Sequence, residues 1–220
     1  YEDFGLLTCS TTVGDDVANL FNVLSGYSMN TEYDRLLVAP HSVRSGLLDR
    51  IDREIEHQAQ GRPARIRFKV NALVDERVVD ALYRASRAGV PVEVWVRGIC
   101  SLRPGVPGLS ENIRVISILG RFLEHSRCYG FDNGGIPELW IGSADMMHRN
   151  LDRRVEALVL LRDPGHVAEI NTLFDLAFDA GTSAWDLHSD GSWTRRTRSD
   201  DGTTLLDFQE TLIAGNLGAP

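Results

Sequence analysis

A histidine and an arginine lie two residues apart near the middle of the chain, and an aspartate follows them. His125, Arg127 and Asp132 form the pattern H-x-R-x4-D. On a strand, residues two apart point to the same face of the sheet. A histidine can pass protons or attack phosphorus, and a guanidinium group can hold two phosphate oxygens at once. The pattern predicts a binding site for an anionic, phosphate-like group; a histidine that is merely hydrogen-bonded inside the core is the alternative.

Small residues and further polar groups follow this pattern along the chain. The turn Gly142-Ser143-Ala144-Asp145 comes ten positions after Asp132, and Arg149 and Asn150 come next. Apolar residues fill the gaps, which places the polar groups at strand ends and turns of a packed domain. The local concentration of cations favours a functional role for His125 over a structural one.

Two further candidates lie at the ends of predicted strands, and a third shares a strand face with one of them. Asn71 ends one strand, Arg97 ends the next strand along the chain, and Lys69 shares a strand face with Asn71. Ligands of open α/β sheets bind at the carboxyl ends of strands, so we predict phosphate contacts for these three side chains. For Arg97, a salt bridge to Glu93 or Asp80 is the alternative.

Composition excludes several classes of function. The chain has 220 residues and a formal net charge of -8, which makes it a poor sequence-independent ligand of DNA or membrane surfaces. We therefore predict no nucleic-acid partner. Three widely spaced cysteines, Cys9, Cys100 and Cys128, favour reduced thiols, a cytoplasmic location and no structural zinc. The sequence also contains neither a P-loop pattern nor a G-x-G-x-x-G pattern.

Hydrophobic periods predict an α/β fold with a mixed, largely parallel sheet flanked by helices. Helices are predicted over residues 11–24, 42–60, 75–89, 164–180 and 203–214. Strands are predicted over residues 35–39, 65–71, 90–96, 113–118, 127–131, 138–141 and 155–161. In the strand 65–71, basic or polar residues alternate with apolar ones, which predicts a strand that is buried on one face only.

Two known families share these motifs. The pattern H-x-R-x4-D followed by Gly142-Ser143 resembles the H-x-K-x4-D and G-S motifs of the phospholipase D superfamily, with Arg127 in place of lysine. A longer resemblance connects the chain to the C-terminal part of bacterial polyphosphate kinases of the phosphohistidine type. It extends from Tyr1 to about Asp179 and rests on YEDFGLLT, on NALVDERVVDALYRASRAGVPVEVWVRGICSLRPGVPGLSENIRVISILGRFLEHSR and on IGSADMMHRNLDRRVE.

The resemblance implies an enzyme with a phospholipase D-like fold that reversibly transfers the terminal phosphate of ATP to inorganic polyphosphate through a phosphohistidine. Tyr1, Arg97 and His125 match residues that contact ATP in that family. His125 is expected to be catalytic, as an acid or base or as a group that stabilises the transferring phosphoryl group. Weaker phosphate or polyphosphate contacts are expected at Lys69, Asn71, Arg127, Ser143, Arg149 and Asn150.

The resemblance also places parts of the active site outside this sequence. The phosphorylated histidine and the residues that contact Mg²⁺ lie upstream in the family, so we predict no metal ligand here and an inactive isolated segment. The start Tyr1–Gly5 lacks methionine and is typical of the interior of a longer chain. The family further implies a homo-oligomer, ATP, ADP and polyphosphate as partners, and association with the periphery of the inner membrane.

Three segments are expected along the chain. Residues 1–34 form a helix and a connection from an upstream domain, residues 35–188 form the phospholipase D-like catalytic domain, and residues 189–220 form a polar tail with a short helix.

Two other functions fit the same motifs. A phosphodiesterase of the phospholipase D kind needs two histidine motifs, so this chain would have to dimerise around His125. A polyanion-binding module without catalysis would need Arg97 but not His125, and its binding would weaken with salt.

Overall fold

A nine-stranded sheet lies between two layers of helices in the computed structural model, which describes residues 1–217. The strands are β1 (Leu36–Ala39), β2 (Ile66–Val70), β3 (Val92–Val96), β4 (Ile113–Ser117), β5 (Arg127–Phe131), β6 (Glu138–Gly142), β7 (Glu156–Leu161), β8 (Ala184–Leu187) and β9 (Trp193–Arg196). The helices are α1 (Thr11–Leu24), α2 (Val43–Ala59), α3 (Glu76–Arg87), α4 (Pro164–Phe178) and α5 (Phe208–Leu217).

The strand order is β1-β7-β6-β5-β2-β3-β4-β8-β9. Within residues 1–217, β2 and β3 pair in parallel, as do β3 and β4, whereas the other six neighbouring pairs are antiparallel. The prediction of a mixed sheet flanked by helices is confirmed. The prediction that most of its neighbouring strands are parallel is wrong. From β5 to β7 the chain returns through connections without an α-helical crossover, which makes successive strands antiparallel.

Two hydrophobic cores lie on the two faces of the sheet. One contains apolar residues of α2 and α3 with Ile66, Phe68 and Val70 of β2. The other contains apolar residues of α4 with Trp95 of β3 and Phe208 of α5. Successive residues of a strand point to opposite faces, so the central strands contribute to both cores.

Strand β2 differs from its prediction, because all five of its residues are buried. The charged face of the strand is covered rather than solvated. Arg67 forms ion pairs with Glu93, at 2.7 Å, and with Asp175 of α4. Lys69 on the same face pairs with Glu2 and Glu124. Charged side chains can be buried when they are paired in this way.

Most predicted helices and strands agree with the structure to within a few residues. In the C-terminal region, the prediction and the structure differ. The last helix begins at Phe208 rather than near residue 203, and the Asp207 carboxylate accepts the N–H of Glu210 at its start. Strands β8 and β9 were missed. They form a hairpin at the end of the sheet beside β4, across the predicted boundary between residues 188 and 189. The division into three segments stays a prediction.

One end of the sheet collects most of the predicted site residues. Strands β2, β3 and β6 finish at this end, and β5 and β7 begin there, because β5 runs antiparallel to β2 and β6. We call it the site end. Gly142 terminates β6 at this point, and a Cβ atom added there would overlap the carbonyl oxygen of Ala157 and lie 2.8 Å from Cα of Leu158.

Gly142→Ala is therefore expected to force β6 and β7 apart at the site end and to lower the free energy of unfolding by about 1–3 kcal/mol. Gly14→Ala is the matched control, since Gly14 lies within α1 and a Cβ atom there meets nothing within 4 Å. Alanine should stabilise that helix by up to about 1 kcal/mol. Denaturant titration of both variants measures the difference, and an equally stable Gly142→Ala variant would contradict this packing.

Candidate functional site

The N-terminal segment is part of the site. Glu2 donates its N–H to the carbonyl oxygen of Leu123 at 2.8 Å, and His125 donates its N–H to the carbonyl oxygen of Glu2 at 3.1 Å. These bonds place residues 1–3 alongside residues 123–125, immediately before β5. Tyr1 and His125 lie far apart in sequence and come together through this short backbone pairing.

His125 has three neighbours at the site end. Its Nδ1 atom lies 2.8 Å from Oδ2 of Asp3, and an Nη1 atom of Arg127 lies 3.2 Å from its Nε2 atom. The ring of Tyr1 meets the imidazole edge to face, with centroids 5.1 Å apart. The same Nη1 atom lies 3.3 Å from Nδ1, so the guanidinium contacts both ring nitrogens, and the bond between Nδ1 and Asp3 fixes the ring orientation.

Arg127 is held in place by Asp145. Nη2 donates to Oδ2 of Asp145 at 3.0 Å, and Nε donates to Oδ1 at 3.3 Å. The same carboxylate accepts the backbone N–H of Asn71 at 2.7 Å. This paired arrangement leaves Nη1 of Arg127 directed at His125.

The carboxyl group of Asp3 responds to this environment. Its partial burial would raise its pKa, but the hydrogen bond with His125, the N–H of Phe4 and the nearby charges of His125 and Arg127 outweigh that effect and lower the pKa. Asp3 is therefore present as a carboxylate beside the imidazole under ordinary conditions.

Arg97 and Asn71 support the chain around His125. Arg97 donates from Nη1 to the carbonyl oxygen of Glu124 at 3.1 Å, and Asn71 donates from its side-chain amide to the carbonyl oxygen of His125 at 3.3 Å. Among the ion pairs within residues 1–217, Arg97 pairs with neither of its predicted partners; Glu93 pairs with Arg67 instead. Both residues thus reach the site end, as their position at strand ends predicts.

The other predicted phosphate contacts have varied surroundings. Ser143 is exposed at the end of β6 and accepts the N–H of Ala157 at 3.2 Å. Arg149 is exposed in a π-helical turn, whereas Asn150 is buried and donates to Glu156 at 2.5 Å. Lys69 is also buried, with its ammonium group directed at carboxylates beneath the site. Burial does not favour direct phosphate contacts by Asn150 and Lys69.

Asp132 does not join the site, although it completes the sequence pattern. It lies beyond the far end of β5 and pairs with Arg65 at 3.2 Å. Seven residues of extended chain separate it from His125, which corresponds to roughly 23 Å. The carboxylates that contact His125 and Arg127 are Asp3 and Asp145, which the sequence did not single out as site residues. Asp145 is the last residue of the turn Gly142-Ser143-Ala144-Asp145, so that turn could have indicated it.

A cleft of about 460 Å³ opens beside His125 and Arg127, and it is also lined by Asp3, Gly142 and Ser143. A neighbouring cleft of about 280 Å³ contains Arg97, Leu119, Trp185 and Trp193. The guanidinium of Arg97 reaches from that second cleft to the residue before His125. A larger cleft of about 600 Å³ lies near the start of β6, away from every predicted site residue. The cleft of about 460 Å³ is the better candidate for phosphate binding, because His125 and Arg127 line it.

The cleft does not fit a metal ion. Asp3, its one acidic side chain, is already engaged by His125. Within residues 1–217, one group of three metal-type donors exists, Asp75, Glu76 and His148, and none of them lines this cleft. Oδ2 of Asp75 is also occupied by the guanidinium of Arg44, at 2.8 Å.

Comparison with known proteins decides the family. The family model described as polyphosphate kinase C-terminal domain 2 matches residues 36–206. The chain belongs to this family. A polyphosphate kinase from Streptomyces coelicolor is 63% identical over 213 residues, which cover 97% of this chain and 29% of that protein. The chain thus spans less than a third of the length of this relative.

One solved structure agrees with this assignment. The crystal structure of a polyphosphate kinase from Porphyromonas gingivalis matches with a TM-score of 0.89 and 35% identity, over 96% of this chain and 32% of that one. Nuc from Salmonella typhimurium, a phospholipase D family member, matches more weakly, with a TM-score of 0.47, 17% identity and coverage of 64% of this chain and 90% of that one. Among residues 1–217, no helix is long and apolar enough to cross a membrane.

The lowered pKa of Asp3 gives a test of the site geometry. Replacement of His125 by alanine removes the hydrogen bond and the nearby ring charge, so the pKa of Asp3 should rise towards its ordinary value of about 3.9. The stability that Asp3 contributes is present above that ordinary pKa and is lost as the pH falls through the lowered one. NMR titration of the side-chain carboxyl carbon measures the change.

Asp190 is the internal control in the same titration. Hydrogen bonds from Ser192 lower the pKa of Asp190, and His125→Ala should leave it unchanged. If His125→Ala changed the pKa of neither Asp3 nor Asp190, the contact between Asp3 and His125 would be refuted.

Proposed function

We propose that this chain is the C-terminal catalytic segment of a polyphosphate kinase, which reversibly transfers the terminal phosphate of ATP to inorganic polyphosphate through a phosphohistidine. The supporting observation is the placement of His125 and Arg127 side by side in an open cleft of a domain from this family. Phosphoryl transfer depends mainly on positioning and on stabilisation of negative charge. An oriented imidazole beside a fixed guanidinium supplies both.

His125 acts as the assisting histidine in this proposal. Asp3 engages Nδ1, so Nε2 is the ring nitrogen that can donate a hydrogen bond or a proton to a phosphoryl oxygen. The covalent phosphohistidine is assigned to another part of the polyphosphate kinase, as the family resemblance implies. The segment alone should then bind ATP or polyphosphate weakly and should not phosphorylate itself.

The cations and the exposed aromatic ring would hold the nucleotide. Arg127 keeps one guanidinium edge on Asp145 and directs Nη1 at His125, which lines the cleft. Arg97 reaches the same region from the neighbouring cleft. The ring of Tyr1 is 84% exposed and can stack against a purine base while it packs on His125. Ser143 and Arg149, both exposed near the end of β6, would add weaker contacts to the phosphates.

Other properties of the whole kinase belong to the same proposal. ATP, ADP and polyphosphate are the expected partners, with a homo-oligomer as the assembly and the cytoplasm, at the periphery of the inner membrane, as the location. Mg²⁺ would accompany the nucleotide and neutralise charge on its phosphates. Since the residues of this cleft do not fit the metal, no step here depends on it.

Two substitutions in the natural protein that carries this segment test the roles of the site. His125→Ala should lower kcat for polyphosphate synthesis by about 100-fold or more, because it removes a general acid or base. Arg97→Ala should mainly raise KM for ATP, by about tenfold, because it removes a contact made to bound nucleotide. Steady-state kinetics with ATP varied separates the two effects.

His41→Ala is the matched control, since His41 is exposed and lies outside the cleft. It should leave kcat and KM unchanged. An unaltered kcat in His125→Ala would contradict a catalytic role for His125. Polyphosphate binding that survives His125→Ala, in a protein that has no transfer activity, would favour a binding module. Hydrolysis of a model phosphodiester that depends on His125 would favour a phosphodiesterase.

A further inference from the structure

The chain contains a single lysine, and it lies directly beneath the site. Lysine and arginine together number 23, and Lys69 is the only lysine among them. Its residue exposure is 4%. A buried ammonium group is costly unless it is paired and hydrogen-bonded, so its neighbours must compensate the loss of water.

Three acceptors surround the ammonium group. Nζ lies 2.6 Å from Oε2 of Glu2 and 2.8 Å from Oε2 of Glu124, and it also donates to Oγ of Ser126. The Ser126 hydroxyl donates in turn to the carboxylate of Glu2 at 2.9 Å. We call Lys69, Glu2, Glu124 and Ser126 the lysine clamp.

The acceptors come from both segments that form the site. Glu2 stands between Tyr1 and Asp3, whereas Glu124 and Ser126 stand on either side of His125. Besides the two backbone hydrogen bonds of Glu2, the clamp joins these segments below the cleft.

We propose that Lys69 is a positioning residue for phosphoryl transfer, which holds the N-terminal segment against the residues around His125 and thereby keeps Asp3 on the imidazole. The inference rests on the proposed function for its effect on activity. Lys69 itself contacts no phosphate in this arrangement.

The side chains around the ammonium group explain why a lysine occupies this position. Nζ lies 4.4 Å from the ring centroid of Trp95 and 5.6 Å from that of Phe4, so aromatic rings complete its surroundings. A compact ammonium can donate hydrogen bonds to Glu2 and Ser126 and form an ion pair with Glu124, whereas a planar guanidinium needs more room. The pKa values agree with one cation shared by two carboxylates. Burial raises the pKa of Glu124, and Lys69 lowers the pKa of Glu2 against the effect of burial.

Activity measurements on the natural protein that carries this segment provide the first arm of the test. Lys69→Met leaves two carboxylates facing each other and should release the N-terminal segment, with a fall in kcat/KM of about 100-fold through misplacement of the reacting groups. Arg67→Met is the matched control. Arg67 is buried on the same face of β2 but pairs with Glu93 and Asp175, away from the cleft.

Both substitutions break a buried ion pair, so both should lower the melting temperature, and Lys69→Met alone should lose activity. The proposal is overturned if the folded Lys69→Met protein keeps kcat/KM within about twofold of Arg67→Met, a difference of only about 0.4 kcal/mol.

Amine acylation provides the second arm, with Lys69 intact. Mass spectrometry of the peptide that contains Lys69 should show slow modification in the unaltered protein. Glu2→Ala should speed it by about tenfold, because the N-terminal cover opens more often. Glu76→Ala, at an exposed glutamate outside the clamp, should not change the rate.

An unchanged acylation rate of Lys69 in Glu2→Ala would overturn the lysine clamp. Acylation requires no catalysis, so this result tests the lysine clamp separately from the proposed function. If the unaltered natural protein fails to make polyphosphate from ATP, the proposed function falls while the clamp is still judged by its labelling.

Discussion

The carboxylate of Asp145 connects three parts of the chain, and the geometry of the site depends on it. Asp145 lies in the turn after β6, binds Arg127 at the start of β5 with two hydrogen bonds, and accepts the backbone N–H of Asn71 after β2. Removal of one partner from a buried pair of this kind costs about 3–5 kcal/mol. Since Arg127 is fixed in this way, its remaining donor faces His125, and the ring acquires a defined orientation.

The site is assembled from segments that are distant in sequence. Residues 1–3 add Tyr1 and Asp3 by backbone pairing, and the C-terminal helix α5 contributes Gln209, which donates to Glu124 at 2.7 Å. Gln209 also brackets the backbone of Phe122 with two hydrogen bonds. The two ends of the described chain thus support the residues around His125 from opposite sides. A cleft built this way holds one imidazole firmly, which supports the assisting role proposed for His125.

Sequence patterns predicted the local structure well where the period was clear. Helix α1 and strand β5 were predicted at their observed bounds, because their apolar periodicity and neighbouring turns agree. The C-terminal hairpin β8–β9 was missed, since its strands are only four residues each and are stabilised by pairing with β4 rather than by a clear pattern of their own. The share of parallel pairs in the sheet was overestimated, because hydrophobic runs do not distinguish parallel from antiparallel neighbours.

The candidate site was predictable in part for the same physical reasons. Strand ends indicated Asn71 and Arg97, and spacing indicated His125 with Arg127. Spacing alone misled for Asp132, because a strand carries it to the other end of the sheet. The roles of Asp3 and Lys69 depend on tertiary pairing of the N-terminal segment, which no local pattern contains. The sequence predicted Lys69 as a phosphate ligand, whereas in the structure its buried ammonium group pairs with two carboxylates.

The central claim is that His125 assists phosphoryl transfer without carrying the phosphoryl group. Its most direct test is to incubate the natural protein that carries this segment with ATP labelled at the terminal phosphate, and to map phosphohistidine by mass spectrometry under alkaline conditions. The account predicts label on a histidine outside these 220 residues and none on His125. Label on a ring nitrogen of His125 would contradict it.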